Sequence, residues 1–89
     1  MVKYKIIFSS LAEKDKKLLK QAGLELKTKS ILTKMETNPF INPPKYERLQ
    51  GNLQGFYSRR INIKHRIVYE VFEDIKVIRI LRMWTHYGK

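Results

Sequence analysis

The segment from Asn38 to Pro44, which reads Asn-Pro-Phe-Ile-Asn-Pro-Pro, constrains the fold more than any other feature of this 89-residue sequence. Its three prolines lack backbone N–H donors and restrict their neighbours, so the segment cannot be helical. Helical periodicity precedes it, and strand-like patterns follow it. We therefore predict a connector, fixed to the core by Phe40, between a helical half and a β half of a single domain spanning residues 1–89.

The part of the chain before this connector predicts one strand and two amphipathic helices. Residues 3–8 are rich in β-branched and aromatic side chains, which favour a strand. Ser10 and Glu13 have the spacing of a capping box. The apolar face of the helix that follows comprises Leu11, Leu18, Leu19 and Ala22. After Gly23, a second helix is predicted from Leu24 to Glu36. Its apolar face comprises Leu24, Ile31, Leu32 and Met35.

From Tyr46 onward, short strand-like stretches alternate with turns. Strands are predicted around Tyr46 to Leu49 and over Phe56 to Ile63, His65 to Phe72 and Ile75 to Met83. Successive hairpins imply a mainly antiparallel meander. The predicted fold is therefore α+β, with two N-terminal helices packed on a curved, mainly antiparallel sheet in the order β-α-α-β-β-β-β.

Alternation along the predicted strand from His65 to Phe72 assigns its side chains to two faces. Ile67, Tyr69 and Val71 belong to one face, with His65. Arg66, Val68 and Glu70 belong to the other face. Arg66 is therefore expected on the side of the sheet opposite Ile67 and Tyr69.

Charge gives the first indication of a partner. Nineteen Lys and Arg against eight Asp and Glu give a formal charge of +11 at pH 7. This charge favours a polyanion through counterion release and electrostatic steering, although solubility alone is an alternative explanation. All the arginines lie in the C-terminal half, and their planar guanidinium groups suit phosphate better than the lysines of the N-terminal half do. The C-terminal half is therefore predicted to face phosphate.

Composition also excludes several classes of protein. Apolar runs such as Ile6 to Phe8 are too short for a membrane-spanning helix or a signal-peptide core. The sequence has no cysteine, hence no disulfide and no thiolate chemistry, and we expect a cytoplasmic protein. Two histidines with few carboxylates near them disfavour a metal site, and no nucleotide-binding glycine motif is present. Neither a metal nor a cofactor is expected.

Metal-free cleavage of RNA is compatible with the residue types that remain. The 2′-OH of the substrate attacks the adjacent phosphorus, and the products are a 2′,3′-cyclic phosphate and a free 5′-OH. The reaction needs a base, an acid and a cation over the phosphoryl oxygens, roles that suit Glu, His and Arg. Because DNA lacks the 2′-OH, this chemistry selects RNA.

The candidate residues for this chemistry are Glu47, Arg59, Arg66, His86 and Tyr87. Each also has a simpler interpretation. Glu47 could be a surface ion-pair partner, and Arg66 an exposed strand residue beside Glu70. His86 and Tyr87 could belong to a frayed C terminus, although Met83 and Trp84 are expected to anchor it.

Three motifs carry a resemblance to a known family. They are Gly55-Phe-Tyr-Ser-Arg-Arg-Ile-Asn62, His65-Arg-Ile-Val-Tyr69 and Arg82-Met-Trp-Thr-His-Tyr87. Together they closely resemble the YoeB toxins of the Txe/YoeB group, within the RelE-like superfamily of bacterial type II toxin–antitoxin modules. Asn38-Pro-Phe40 and Tyr46-Glu-Arg-Leu49 are similar to the same group, so the resemblance covers essentially the whole chain.

The resemblance implies a ribosome-dependent mRNA endonuclease, an mRNA interferase that inhibits translation. Carried across by motif position, Glu47 is the general base, His86 the general acid and Arg66 the clamp on the transition state. Tyr87 would help to orient the substrate. The remaining implied substrate-binding residues are Lys45, Arg59 and Arg60. His65 matches no catalytic position, and we expect it to pack on the sheet or to form a turn.

The resemblance also implies partners. A cognate antitoxin would neutralise the toxin, which would act on mRNA at the ribosome. Operator DNA would be bound only through the antitoxin, a homodimer is left open, and no membrane partner is expected. Three alternatives remain: a ParE-type toxin acting on DNA gyrase, a RelE-like branch that lacks the Glu–His pair, and a basic RNA- or ribosome-binding module without catalysis.

Overall fold

The computed structural model describes residues 3–42 and 45–84, which form two α-helices, one short 3₁₀-helix (Gly51–Leu53) and five strands. The helices are α1 (Ser10–Gln21) and α2 (Glu25–Thr37). The strands are β1 (Lys5–Phe8), β2 (Tyr46–Arg48), β3 (Tyr57–Arg60), β4 (Arg66–Phe72) and β5 (Val77–Arg82). The strand order in the sheet is β1-β5-β4-β3-β2, with β1 parallel to β5 and every other neighbouring pair antiparallel. The predicted α+β class, element order and mainly antiparallel sheet are confirmed.

Helix α1 begins one residue earlier than the capping-box pattern predicts. The side chain of Ser9, rather than that of Ser10, accepts a hydrogen bond from the backbone N–H of Ala12 at 3.1 Å. The Ser9 hydroxyl also donates to the Leu81 carbonyl at 2.7 Å, a bond that joins the start of the helix to β5. Glu13 pairs with Lys16 on the surface instead of reaching back to the cap. The prediction of Ser10 as the cap is therefore wrong, because tertiary contact with β5 selects Ser9.

The buried face of α1 also differs from the predicted one. Leu19 is buried as expected, but Leu11 is 45% exposed and Leu18 37% exposed. Ala12 and Asp15 are buried in their place. The Asp15 carboxylate accepts hydrogen bonds from Arg82 Nε at 3.0 Å, Arg82 Nη2 at 3.3 Å and the Met83 backbone N–H at 2.9 Å. A pattern of apolar residues cannot locate this face, because its central contact is ionic.

Helix α2 and the central strands supply most of the core. Ile31 and Met35 of α2 are buried and Leu24 and Leu32 pack beside them, as the apolar pattern predicts. They contact the face of the sheet that carries Ile67, Tyr69, Ile78 and Ile80. Burying such an aliphatic side chain stabilises the fold by about 1.5–3 kcal/mol. Among the described residues, no helix combines the length and the apolar character needed to cross a membrane.

The connector that follows α2 is fixed to the sheet by Arg59 of β3. Its guanidinium donates to the Pro39 carbonyl at 2.9 Å and to the Ile41 carbonyl at 2.7 Å. The same carbonyl of Pro39 accepts from the Tyr69 hydroxyl, and burial raises the pKa of Tyr69, so this hydroxyl stays protonated. Arg59 is 0% exposed. The predicted role of Arg59 in substrate binding is corrected to a structural one, because a phosphate cannot reach a guanidinium enclosed in this way.

We expect Asp15→Ala to lower the free energy of unfolding by about 2–4 kcal/mol, because it removes the acceptor of Arg82 and of a buried backbone N–H. The loss falls below that of a fully buried ion pair, since Arg82 can be hydrated in part. Chemical denaturation measures it. Glu13→Gln, on the same helix but in an exposed pair, is the matched control and should leave the midpoint unchanged. Equal losses in both variants would contradict the assigned role of Asp15.

Arg59→Gln should destabilise the fold by about 3 kcal/mol, because a shorter amide cannot reach the carbonyls of Pro39 and Ile41 together. The neighbouring substitution Arg60→Gln removes an exposed side chain and should leave thermal stability unchanged. Differential scanning calorimetry measures the melting temperatures of the two variants, whose substitutions lie on opposite faces of β3. A stable Arg59→Gln variant would show that the connector is held by other contacts.

Candidate active site

Four strand residues are brought together on the side of the sheet opposite the helices. Glu47 of β2 lies directly across from Ser58 of β3, and Arg60 lies across from Arg66 of β4. Alternation places these four side chains on one face, while Arg59 and Tyr69 face the core. The predicted separation of Arg66 and Val68 from Ile67 and Tyr69 is thus confirmed. The β3 register decides which of two adjacent arginines faces this site.

An ion pair spans β3 on this face. Arg66 Nη1 lies 3.2 Å from Glu47 Oε1, and the two residues come from the strands that flank β3. The Glu47 side chain is 56% exposed, whereas that of Arg66 is only 11% exposed. The carboxylate therefore lies where a substrate can reach it, and the guanidinium lies deeper, with its orientation restricted by its surroundings.

The pair lies in a cavity of about 320 Å³. Its lining comprises Lys45, Glu47, Ser58, Arg60 and Arg66. Three cations against one carboxylate give the cavity a positive field, which suits an anionic backbone. A larger cavity of about 660 Å³ lies between β1 and the two helices, but none of the residues predicted for catalysis lines it.

The described chain ends at Trp84, next to the backbone of Arg66. The Trp84 carbonyl accepts a hydrogen bond from the Arg66 backbone N–H at 3.3 Å and lies 2.7 Å from His65 Nδ1. The Trp84 and His65 rings stack, with their centroids 4.0 Å apart. His65 thus packs at the start of β4, as predicted, and Trp84 is anchored as predicted. Arg66 occupies the next position on β4.

The structure assembles part of the predicted site. It brings Lys45, Glu47, Arg60 and Arg66 into one cavity and excludes Arg59. His86 and Tyr87, the other two predicted catalytic residues, lie outside the described residues. Sequence reasoning missed Ser58 as a cavity residue, although the alternation that pairs it with Arg60 was a usable signal. Within residues 3–42 and 45–84, no three His, Asp or Glu side chains cluster closely enough to hold a metal ion.

Comparison with known proteins identifies the family of this chain. A family model described as the YoeB-like toxin of bacterial type II toxin–antitoxin systems matches residues 7–87. Toxin YoeB of Synechocystis is 40% identical over 67 residues, which cover 74% of this chain and 71% of that protein.

Two solved structures from Staphylococcus aureus share the fold. The YoeB–YefM complex has a TM-score of 0.79 at 35% identity, covering 97% of this chain and 100% of that one. The YoeB dimer has a TM-score of 0.80 at 35% identity with the same coverage of 97% and 100%. The chain therefore belongs to the YoeB-like toxins of bacterial type II toxin–antitoxin systems, with the RelE-like fold.

Proposed function

We propose that this toxin is a metal-independent endoribonuclease that cleaves mRNA on the ribosome and so inhibits translation. The observation that carries the proposal is the Glu47–Arg66 pair at 3.2 Å in a cationic cavity, with the Trp84 carbonyl hydrogen-bonded to the Arg66 backbone N–H. His86 follows Trp84 by two residues, and a stretch of that length spans at most about 7 Å. A base and a cation thus lie at one place, and the proposal adds His86 as the acid.

In the proposed reaction, Glu47 accepts the proton of the 2′-OH, and the 2′-oxygen forms a bond to phosphorus. The bond between phosphorus and the 5′-oxygen breaks, and His86 donates the proton that this oxygen needs. Arg66 stabilises the charge that develops on the phosphoryl oxygens, and Tyr87 orients the substrate. Acid and base groups each contribute about 10² to 10⁴ in rate.

Lys45 and Arg60 would bind the phosphates on either side of the scissile bond. Both line the cavity without belonging to the Glu47–Arg66 pair. Their contribution would be to position the RNA backbone, since phosphate contacts fix register but do not read sequence.

The proposed partners follow from charge and from the relatives. The formal charge of +11 favours an acidic antitoxin segment that covers the site, and the S. aureus relative forms a complex named YoeB–YefM. The same charge favours ribosomal RNA. Operator DNA would be bound only through the antitoxin. A homodimer is part of the proposal as well, because a YoeB dimer of S. aureus has the same fold.

Primer extension on mRNA translated in the presence of the toxin should reveal breaks at defined codon positions. Glu47→Gln, Arg66→Ala and His86→Gln should each reduce cleavage by about 100-fold or more, because each removes a group that acts on the transition state. The matched control is Glu70→Gln. Glu70 forms a cross-strand ion pair with Arg79 on the same face of the sheet but outside the cavity, so its removal should leave cleavage unchanged.

Two outcomes would contradict this proposal. Normal cleavage by all three site variants would refute the assigned roles. An inactive wild-type protein that instead inhibits DNA supercoiling would favour the ParE-type alternative.

The chemistry of the products gives an independent test. A free RNA oligonucleotide should yield a 2′,3′-cyclic phosphate and a 5′-OH, and a 2′-deoxy substitution at the scissile nucleotide should abolish cleavage, because the nucleophile is then missing. Chelation with EDTA should not change the rate on this substrate, for which ribosome integrity is irrelevant. Mass spectrometry of the fragments identifies the ends. A 5′-phosphate product, or loss of activity on chelation, would contradict the mechanism.

A further inference from the structure

Ser58 presents a buried hydroxyl group inside the proposed catalytic cavity. The residue is 1% exposed, and its Oγ atom makes no hydrogen bond in the part of the chain that the structure describes. A buried polar group without a partner is costly, so native proteins keep few of them, and those that remain call for an explanation in function. Because Ser58 lines the cavity, a partner for its hydroxyl is to be sought among the groups that lie there.

The register of the sheet shows which side chain lies nearest to this hydroxyl across the strand pair. Ser58 lies directly opposite Glu47 in the β2–β3 pair, and side chains in such positions have Cβ atoms about 4.5–5.5 Å apart. The Glu47–Arg66 ion pair passes over β3 on the same face. In the substrate-free protein, the Glu47 carboxylate therefore turns towards Arg66, and Ser58 lies beneath the pair.

Binding of an RNA substrate would change this arrangement. A phosphodiester competes for the Arg66 guanidinium, whose planar donors match phosphate oxygens. Glu47 then loses its cation at the moment when it must point at the 2′-OH. A carboxylate accepts several hydrogen bonds, and the Ser58 hydroxyl is a donor directly across the strand pair.

We propose that Ser58 is a positioning residue for the general base, whose hydroxyl donates to the Glu47 carboxylate once Arg66 binds the phosphate. The inference rests on the proposed endoribonuclease function and deepens it. The hydroxyl remains unpartnered in the free protein because its bond belongs to the substrate complex. Ser58 acts through Glu47 and does not touch the reacting atoms.

Ser58→Ala distinguishes this role from a structural one, because it removes a hydroxyl that contributes nothing to the free fold. Its melting temperature should equal or exceed that of the wild type. Its single-turnover cleavage of mRNA on saturating programmed ribosomes should fall by about 10- to 100-fold, as expected for a lost hydrogen bond to a charged group. Affinity for ribosomes that carry a non-cleavable 2′-deoxy mRNA should stay the same. Ser58→Thr, which keeps the hydroxyl, should restore most of the rate.

Thr28 on α2 supplies the matched control, because its Oγ1 is also buried without a partner but lies at the other cavity. Thr28→Val replaces that hydroxyl with a methyl group and should leave cleavage unchanged. Wild-type cleavage by Ser58→Ala would overturn the inference, as would a joint loss of stability and activity that Ser58→Thr does not restore. If Glu47→Gln is inactive while Ser58→Ala is fully active, only the role of Ser58 is wrong. If Glu47→Gln cleaves normally, the proposed function fails.

Discussion

The buried carboxylate of Asp15 is the contact on which the placement of the candidate site depends. It joins α1 to the end of β5 by binding the Arg82 guanidinium and the Met83 backbone N–H, and it raises the pKa of Arg82. Strand β5 ends at Arg82, and the Trp84 carbonyl that follows accepts a hydrogen bond from the Arg66 backbone N–H. A helix packed on one face of the sheet is thereby joined to the strand end that lies next to Arg66. Charge is needed here, because an apolar contact would bury the helix without fixing the register of the strand end.

Strand β3 contributes functional side chains to both faces of the sheet. Arg59 turns inward and holds the proline-rich connector through its carbonyls, while Arg60 turns outward into the cavity. The connector leads directly to β2, which carries Glu47. The inward arginine thus places the strand that bears the candidate base, and the outward one adds positive charge around it. Two adjacent residues of the same type have different functions because a strand alternates its side chains.

The Glu47–Arg66 ion pair is the arrangement of the site in the absence of substrate. An ion pair with an exposed carboxylate contributes little to stability, so a phosphate can displace it at low cost. The pair keeps the two groups close together before substrate arrives. The cationic surroundings of Lys45 and Arg60 favour the same exchange. The arrangement suits a protein whose partners are polyanions.

The sequence by itself determined the fold class, the order of the elements and the face of β4 that carries Arg66, because period-two alternation and proline placement are local properties. It also indicated Lys45, Glu47, Arg60 and Arg66. It failed where a side chain's environment depends on a distant segment: Ser9 caps α1 through β5, Asp15 is buried by Arg82, and Arg59 is enclosed by the connector. Alternation with Arg60 could have indicated the face that Ser58 occupies, but its burial and its position opposite Glu47 depend on the pairing of β2 with β3. Only the tertiary structure decided these positions, since burial and hydrogen-bond partners arise from contacts between residues far apart in the chain.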